Sequence, residues 1–346
     1  MEISITNFKS IGKAQMKLGR VTVLLGPPAA GKSNVLEAMA LATYFDRFVL
    51  YSDVEPLSKL VGVDDIRGLS VRYDAAKAVQ VDADGGEWRR LLRIYFQKDL
   101  RLELNGIEVP VETSDDYTFL YNGLKYRVRR VDIDGSAVVR LYSFDRFRQD
   151  VVSNMVGGSV AEAPHGLLRE DAKNFGAVAA EQPEVFRDVN AELKELGQVE
   201  VGLLDDGRVA VFDSYAVARP PDSLLRALYY LTGLSSAAHF AKRHGLEGRT
   251  AALLEEPETH PRLLHVLVKH IEKLSEVVYV AVTTHSPILV SMLRDRLDVA
   301  LYYVYRGCTG LTEVAELDED AMAEELITAE DVLFMKPREV LRFVKR

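Results

Sequence analysis

The residue spacing with the clearest chemical meaning lies near the N-terminus. Gly26, Gly31, Lys32 and Ser33 fit the pattern G-x-x-x-x-G-K-[ST], and the apolar run 21–25 precedes them. Glycines let the backbone curl so that successive N–H groups converge on phosphate oxygens, and a helix that begins there adds its positive end. Lysine reaches the β- and γ-phosphates and the serine hydroxyl binds Mg²⁺. The pattern predicts that a nucleoside triphosphate contacts Gly26, Pro27, Pro28, Ala29, Ala30, Gly31, Lys32, Ser33 and Asn34.

Two glutamates follow a second apolar run. Residues 251–254 read Ala-Ala-Leu-Leu and lead directly into Glu255 and Glu256. Carboxylates at a strand end beside a phosphate loop hold Mg²⁺, and the next carboxylate polarises an attacking water. We therefore assign Glu255 to the metal and Glu256 to the general base. A solvated acidic turn is the alternative for an isolated Glu-Glu pair.

A histidine follows a third apolar run. Residues 277–282 read Val-Val-Tyr-Val-Ala-Val, and Thr283, Thr284 and His285 come next. Ligands of open α/β sheets bind outside the carboxyl ends of the strands. His285 is therefore predicted to contact the γ-phosphate or the attacking water, with Thr284 orienting it.

Composition narrows the class of protein. The chain has 346 residues, a net charge of −9 and one cysteine. It holds no apolar run of about 18 residues and no basic start followed by an apolar core, so we expect neither membrane insertion nor a secretion signal. A single cysteine, Cys308, excludes a disulfide framework and favours a cytoplasmic location. Between Trp88 and Arg148 there are 12 Lys and Arg against 9 Asp and Glu, a weak indication of an anion-facing surface.

The middle of the chain predicts β-hairpins. Asn-Gly or Asp-Gly pairs stand between alternating polar and apolar residues at 105–106, 122–123, 134–135 and 206–207. These pairs adopt the positive-φ turns that match the twist of paired strands.

Helical spacing dominates 160–197, where Pro183 is expected to begin a helix and Gly197 to end it. From Asp222 onward helices and apolar strands alternate, as in a parallel α/β sheet, and a closing amphipathic helix is expected from Met335. The predicted fold is an α/β phosphate-loop core with an antiparallel β lobe and a small helical lobe. It forms one discontinuous domain, 1–346, divided into a core (1–50 and 215–318), a β-hairpin lobe (70–148), a helical lobe with a hairpin (160–213) and a C-terminal helical segment (319–346).

The three polar segments together resemble the ATP-binding-cassette ATPases of the RecF, SMC and OLD type. The resemblance rests on residues 26–33, the Glu-Glu-Pro-Glu run 255–258, the Thr-His-Ser-Pro run 284–287 and the opening strand and turn at 5–10. The coiled coil of SMC proteins and the nuclease domain of OLD proteins are absent from the sequence. It resembles a stand-alone head domain.

The resemblance implies that two heads close on two ATP molecules, each site being completed by the partner's signature segment. The matching place is 218–226, which lacks the family's glycine. Ser223 is the candidate γ-phosphate contact, Asp222 is expected to cap the helix, and Arg219 or Arg226 to supply positive charge.

The resemblance also implies a glutamine that senses Mg²⁺. Gln149 lies where that loop is expected, although a glutamine on a helix surface is equally ordinary. Lys9 and Ser10 lie either near the nucleotide or in a surface turn. The tyrosines in apolar segments are expected in the core, namely Tyr229, Tyr230, Tyr302 and Tyr303.

These observations predict a Mg²⁺-dependent ATPase that forms an ATP-dependent homodimer and acts as a switch. The family resemblance and the arginine-rich β lobe favour a DNA-associated role in repair or chromosome maintenance. The alternative is a regulatory ATPase of a defence or toxin system that controls a partner nuclease or effector. A transporter motor is disfavoured by the altered signature segment.

Overall fold

A computed structural model describes residues 1–44, 57–74, 76–96, 100–115, 117–128, 137–158, 166–194, 200–212 and 217–345. The strands are β1 Glu2–Phe8, β2 Ile11–Lys17, β3 Val21–Leu25, β4 Val79–Asp84, β5 Arg89–Tyr95, β6 Arg101–Leu104, β7 Ile107–Val109, β8 Val111–Thr113, β9 Phe119–Tyr121, β10 Leu124–Val128, β11 Val138–Ser143, β12 Glu200–Leu203, β13 Val209–Phe212, β14 Val217–Ala218, β15 Thr250–Glu255, β16 Tyr279–Thr283, β17 Val299–Arg306 and β18 Thr312–Glu316.

The α-helices are α1 Lys32–Ala42, α2 Leu57–Val61, α3 Arg148–Gly157, α4 Phe175–Ala180, α5 Pro183–Lys194, α6 Asp222–His244, α7 Pro261–Leu274, α8 Pro287–Arg294, α9 Glu319–Glu324, α10 Ala329–Val332 and α11 Pro337–Val340. Single 3₁₀ turns lie at Ile66–Leu69, Val71–Tyr73 and Leu341–Phe343. The mixed α/β class predicted from the sequence is confirmed.

Internal contacts divide the chain into two compact units. Unit 1 comprises Met1–Leu141 and Ala300–Arg346, and unit 2 comprises Tyr142–Val299. The finer division into core, hairpin lobe, helical lobe and C-terminal segment stays a prediction.

Unit 1 is built on strands in the order β3-β17-β18-β2-β1-β4-β5-β6-β7. β1 pairs antiparallel with β2 and β4, and the antiparallel ladder continues to β7. Inward residues alternate with outward ones: Ile3 and Ile5 of β1 and Val79 and Val81 of β4 are buried. α1 contacts β1 and β4 and carries buried residues from Val35 through Ala42. The strand that feeds the loop at 26–33 is thus held inside a continuous core.

Unit 2 holds a parallel strand pair and a helical layer. β15 pairs with β16 in register from Ala251↔Tyr279 to Glu255↔Thr283, with α7 as the crossover helix. The end of β15 that carries the glutamates and the end of β16 that leads to His285 therefore lie at the same edge of the sheet, as parallel pairing requires. The long helix α6 contacts β15 and α7.

A buried histidine links three helices of unit 2. Nε2 of His270 on α7 lies 3.1 Å from Oδ2 of Asp188 on α5, and Nδ1 lies 3.5 Å from Oγ of Ser235 on α6. Burial lowers the pKa of His270, and Asp188 opposes that shift only in part. The neutral imidazole is the form that this packing stabilises.

The hairpins predicted at 105–106, 122–123 and 206–207 are confirmed by the pairs β6–β7, β9–β10 and β12–β13. The hairpin predicted at 134–135 and the helix end predicted at Gly197 lie outside the described residues. Pro183 begins α5 as expected.

Two expectations for the C-terminal part are wrong. β17 and β18 pair antiparallel rather than extending a parallel pattern, because the turn at Gly307–Gly310 is short enough to reverse the chain directly. The helix expected from Met335 begins only at Pro337 and ends after four residues, before a 3₁₀ turn. Proline at the first helical position fixes that start.

Candidate functional site

The loop at 26–33 in unit 1 depends on two glycines. Gly26 and Gly31 have φ of +145° and +108°. A Cβ on Gly26 would lie 2.1 Å from the carbonyl oxygen of Val304, and one on Gly31 would lie 2.3 Å from Oγ1 of Thr312. Both the backbone conformation and the space therefore require glycine. We call residues 26–33 the phosphate loop, after their sequence pattern.

Lys32 begins α1 and is buried. Its Nζ donates to the carbonyl oxygens of Gly26, at 3.0 Å, and Pro27, at 3.3 Å. The ammonium thus lies over the concave side of its own loop, where its charge is compensated by carbonyl dipoles. A phosphate entering this loop would meet that charge together with the N–H groups at the start of α1.

A polar brace that the sequence reasoning missed lies behind the loop. Oγ1 of Thr312 donates to the carbonyl of Ala30 and lies 2.7 Å from Oγ of Ser10, and Nδ2 of Asn34 donates to the same Ser10 oxygen. Nε of Arg306 donates to the carbonyl of Ala29 at 3.0 Å. No local sequence signal indicates this role, because Thr312 is 282 residues away from Ala30 along the chain.

Ser10 therefore lies against the phosphate loop, whereas Lys9 points elsewhere. Nζ of Lys9 pairs with the buried carboxylate of Glu37 on α1 and donates to the carbonyl of Val61. Lys9 joins the β1–β2 turn to α1.

In unit 2, β15 ends in Glu255, whose Oε2 lies 3.3 Å from the guanidinium of Arg146. The next residue, Glu256, has φ of +46°, a left-handed conformation that is unfavourable for a residue with a Cβ. Its N–H is held there by the carbonyl, at 3.0 Å, and the hydroxyl, at 3.2 Å, of the buried Thr283. The two consecutive glutamates have different partners, Arg146 for Glu255 and His285 for Glu256.

The predicted base and the predicted histidine meet. Nε2 of His285 lies 3.2 Å from Oε1 of Glu256. The His285 N–H and the Thr284 hydroxyl both donate to Oε1 of Glu258, and Ser286 caps α8 by accepting from the N–H of Leu289. Glu258, which carried no assigned role in the sequence analysis, thus fixes the loop that presents His285.

Arg226, which the sequence analysis placed in the signature segment, contacts the chain next to the glutamates of unit 2. The guanidinium of Arg226 pairs with Asp145, lies 3.3 Å from the carbonyl oxygen of Glu256 and packs over the ring of Phe144 at 4.8 Å. The hydroxyl of Tyr230, four residues along α6, donates to the carbonyl of Glu255. α6 therefore supports the backbone of both glutamates. The prediction that the tyrosines are core residues is confirmed, since Tyr229, Tyr230, Tyr302 and Tyr303 are all buried.

The expected cap of α6 is wrong. The helix is preceded by Pro221 as N-cap residue, without a side-chain hydrogen bond, and Asp222 is its first residue. Asp222 instead pairs with Arg148 at the start of α3, and this hydrogen bond raises the pKa of Arg148. The pair joins the segments that carry Gln149 and Ser223, both of which are exposed. Ser223 also accepts a hydrogen bond from Thr259 through its backbone carbonyl.

The structure thus brings Glu255, Glu256 and His285 together within unit 2, and gathers the phosphate loop with Ser10 within unit 1. A carboxylate next to an imidazole can accept a proton from water, and a glycine loop with a buried lysine can bind an anion. Among the described residues no cluster of three or more His, Cys, Asp or Glu could hold a metal, and no described helix is long and apolar enough to cross a membrane.

No protein-family model and no curated protein matches the chain. Solved structures do match. An SMC head bound to the C-terminal winged-helix domain of ScpA is 15% identical, covering 93% of this chain and 98% of its own, with a TM-score of 0.54. An SMC head with an extended coiled coil, bound to the C-terminal domain of ScpA and derived from Pyrococcus furiosus, is 12% identical, covering 94% and 98%, with a TM-score of 0.52.

The chain has the fold of an SMC head domain. The resemblance drawn from the three polar segments is confirmed at the level of the fold. The roles of the individual site residues stay predictions, since a likeness at this identity describes the path of the chain and not its chemistry.

Proposed function

We propose that this chain is an ATPase that binds ATP at its phosphate loop and hydrolyses it with Glu256 as general base. One observation carries the proposal: a left-handed glutamate at a strand end, 3.2 Å from a histidine, in a chain that also holds a glycine-dependent phosphate loop. Backbone strain of this kind persists where the surroundings enforce it and is concentrated at functional sites.

Each residue has a chemical task in this proposal. Lys32 and the N–H groups of the loop compensate the phosphate charge, and Glu256 takes a proton from the attacking water. His285 donates to the γ-phosphate or to that water and holds the Glu256 carboxylate in place. Positioning and charge compensation of this sort account for most of the catalysis in phosphoryl transfer.

The residues proposed to hold Mg²⁺ are Ser33, Glu255 and Gln149. All offer oxygen atoms, the donors that Mg²⁺ prefers. The bound ion would neutralise charge on the phosphates. Oε2 of Glu255 lies 3.3 Å from the guanidinium of Arg146.

We further propose that hydrolysis is coupled to dimerisation. ATP bound at the phosphate loop of one copy would be contacted by Ser223 of a second copy, and the exposure of Ser223 is compatible with such a contact. The proposed cellular role is DNA-associated, in repair or chromosome maintenance. The alternative, control of a partner nuclease or effector in a defence system, shares the same nucleotide step.

The decisive experiment compares Glu256→Gln with the wild type and with Glu276→Gln, an exposed glutamate after α7. We expect Glu256→Gln to lower turnover by about 100-fold or more while retaining ATP affinity, and to accumulate an ATP-loaded dimer. Turnover and mass in solution are measured with ATP. Equal turnover in all three proteins would remove Glu256 from the mechanism.

Measuring ATP turnover with and without duplex DNA distinguishes the two proposed cellular roles. In the DNA-associated role, turnover rises with duplex and the rise weakens with salt, because phosphate contacts release counterions. Turnover that is indifferent to duplex at low salt would favour the effector alternative.

A further inference from the structure

The most unusual side chain outside the candidate site is Leu326. Helix α9 ends with the paired hydrogen bonds Leu326 N–H to Ala323 O and Ile327 N–H to Met322 O. This is the Schellman pattern, in which the residue after the cap is left-handed and is usually glycine. Here that residue is leucine, with φ of +57° and 89% of its surface exposed.

Leucine at this position is unfavourable for two reasons. Its Cβ strains the left-handed backbone, and its apolar surface faces water. Exposure of 89% means that the rest of the chain offers almost no packing in return. A residue that breaks a local rule without an internal gain indicates a function outside the folded chain.

A second exposed apolar residue lies eight positions later. Phe334 is 78% exposed, at the end of the segment that contains α10. Ile327, Leu333 and Met335 on the same segment are half-buried. Two large side chains so exposed within ten residues exceed what scattered surface apolar residues explain.

Along this stretch of the sequence the charged residues are all acidic. Residues 318–334 hold seven Asp and Glu and no Lys or Arg. Asp318 and Asp331 accept helix-capping hydrogen bonds, Glu325 pairs with Arg342, and Lys345 interacts electrostatically with Asp318 and Glu319. Asp320 and Glu324 are exposed. We call residues 318–334 the acidic segment.

We propose that the acidic segment docks a basic amphipathic helix of a partner protein. Leu326 and Phe334 would enter its apolar face while the exposed carboxylates meet flanking Lys or Arg. The charge selects this occupant: nucleic acid and anionic lipid are repelled, and a second copy of this chain would bring its own net charge of −9. This surface is independent of the nucleotide, so it would operate even if the proposed ATPase activity were wrong.

The test uses synthetic 18-residue probes. The first peptide places its leucines on one face of an amphipathic helix and its lysines on the other. The second has the same composition in scrambled order. The third has the order of the first, with each lysine replaced by glutamate. We expect the first to bind the wild type with a Kd of about 1–50 μM, weakening with salt, and to bind at least 10-fold tighter than either of the others.

Variants separate docking from folding. Leu326→Gly relieves the strained backbone, so it should raise Tm by about 1–3 °C while weakening the lysine probe about 10-fold. Phe334→Ser should weaken the probe by a similar factor, and Glu324→Lys about 3-fold. Leu124→Ser, a 55% exposed leucine on β10, is the control that should leave binding unchanged.

Equal binding of the periodic and scrambled probes, or unchanged binding to Leu326→Gly, would overturn the proposal. Sedimentation of the wild type as a dimer that Leu326→Gly dissociates would also overturn it, by showing that a second copy is the occupant.

Discussion

In the phosphate loop, the groups that could meet an anion are backbone N–H groups and one lysine, and the loop is held by steric limits and by hydrogen bonds to its carbonyl oxygens. At the acidic strand ends of unit 2, the corresponding groups are side chains, of which Glu255 pairs with Arg146 and Glu256 contacts His285 at 3.2 Å. In the first region a Cβ cannot be added at Gly26 or Gly31 without a clash.

This difference predicts which kind of substitution should impair each region. A loop defined by sterics should fail when volume is added, whatever the charge. A network of ion pairs should tolerate volume changes better and respond to changes in hydrogen-bond geometry or charge.

The largest effect is expected from Gly31→Ala. The added Cβ meets Oγ1 of Thr312 at 2.3 Å in a backbone with φ of +108°, so the loop must deform. We expect ATP affinity to fall by about 100-fold or more, measured by calorimetry. The control is Gly106→Ala, where φ is +80° and no described atom lies within 4 Å of the added Cβ. It should lose about 1 kcal/mol of stability and keep its ATP affinity. Equal affinity in both variants would contradict the steric account.

Arg226→Lys tests the second region. Lysine keeps the charge but cannot hold Asp145 with two nitrogens while reaching the Glu256 carbonyl. We expect turnover to fall about 10-fold with ATP affinity unchanged, since the proposed base loses its fixed backbone. Arg243→Lys, in the exposed last turn of the same helix, should leave both quantities unchanged. A parallel loss of affinity and turnover would show that Arg226 acts on folding instead.

Thr312→Val examines the brace behind the phosphate loop. Valine keeps the volume but loses the hydroxyl that donates to Ala30 and contacts Ser10. We expect a loss of about 1–2 kcal/mol in the free energy of unfolding and about a 5-fold weaker ATP affinity. In the matched variant Thr22→Val, the removed hydroxyl is buried without a hydrogen-bond partner among the described residues. That variant should unfold at higher denaturant concentration than the wild type, and a loss there would contradict the argument.

The smallest effect concerns pH. Burial lowers the pKa of His270 in the folded state below its value in the unfolded chain. The unfolded chain therefore binds the proton more readily, so the stability contributed by neutral His270 is present above about pH 6.5 and is lost as pH falls below it. His270→Gln should make the free energy of unfolding less dependent on pH between about 7 and 5. Urea titrations at both pH values measure the slope, and an identical slope in both proteins would refute the assignment.

Sequence reasoning predicted the strand, the glycine turn and the helix start of the phosphate loop because that pattern is local, while its nucleotide contacts stay a prediction. Glycines at fixed spacing, a preceding strand and a following helix all lie within 20 residues. It placed Glu256 and His285 at the same site less directly, through the rule that ligands bind outside the carboxyl ends of the strands, and it did not predict their direct contact.

Other parts could not be predicted. Thr312 braces Ala30 from almost 300 positions away, and nothing in its neighbourhood indicates that contact. The left-handed Glu256 depends on hydrogen bonds that its N–H donates to Thr283, and Asp222 pairs with Arg148 instead of capping α6. In each case a long-range partner overrode a local preference.

The close approach of Gly26 to the Val304 carbonyl has an evolutionary consequence. A single nucleotide change in a glycine codon yields glycine again, a stop, or a residue with a Cβ, and any Cβ here would lie 2.1 Å from that oxygen. Every amino-acid substitution that a single nucleotide change can cause at Gly26 would therefore distort the loop.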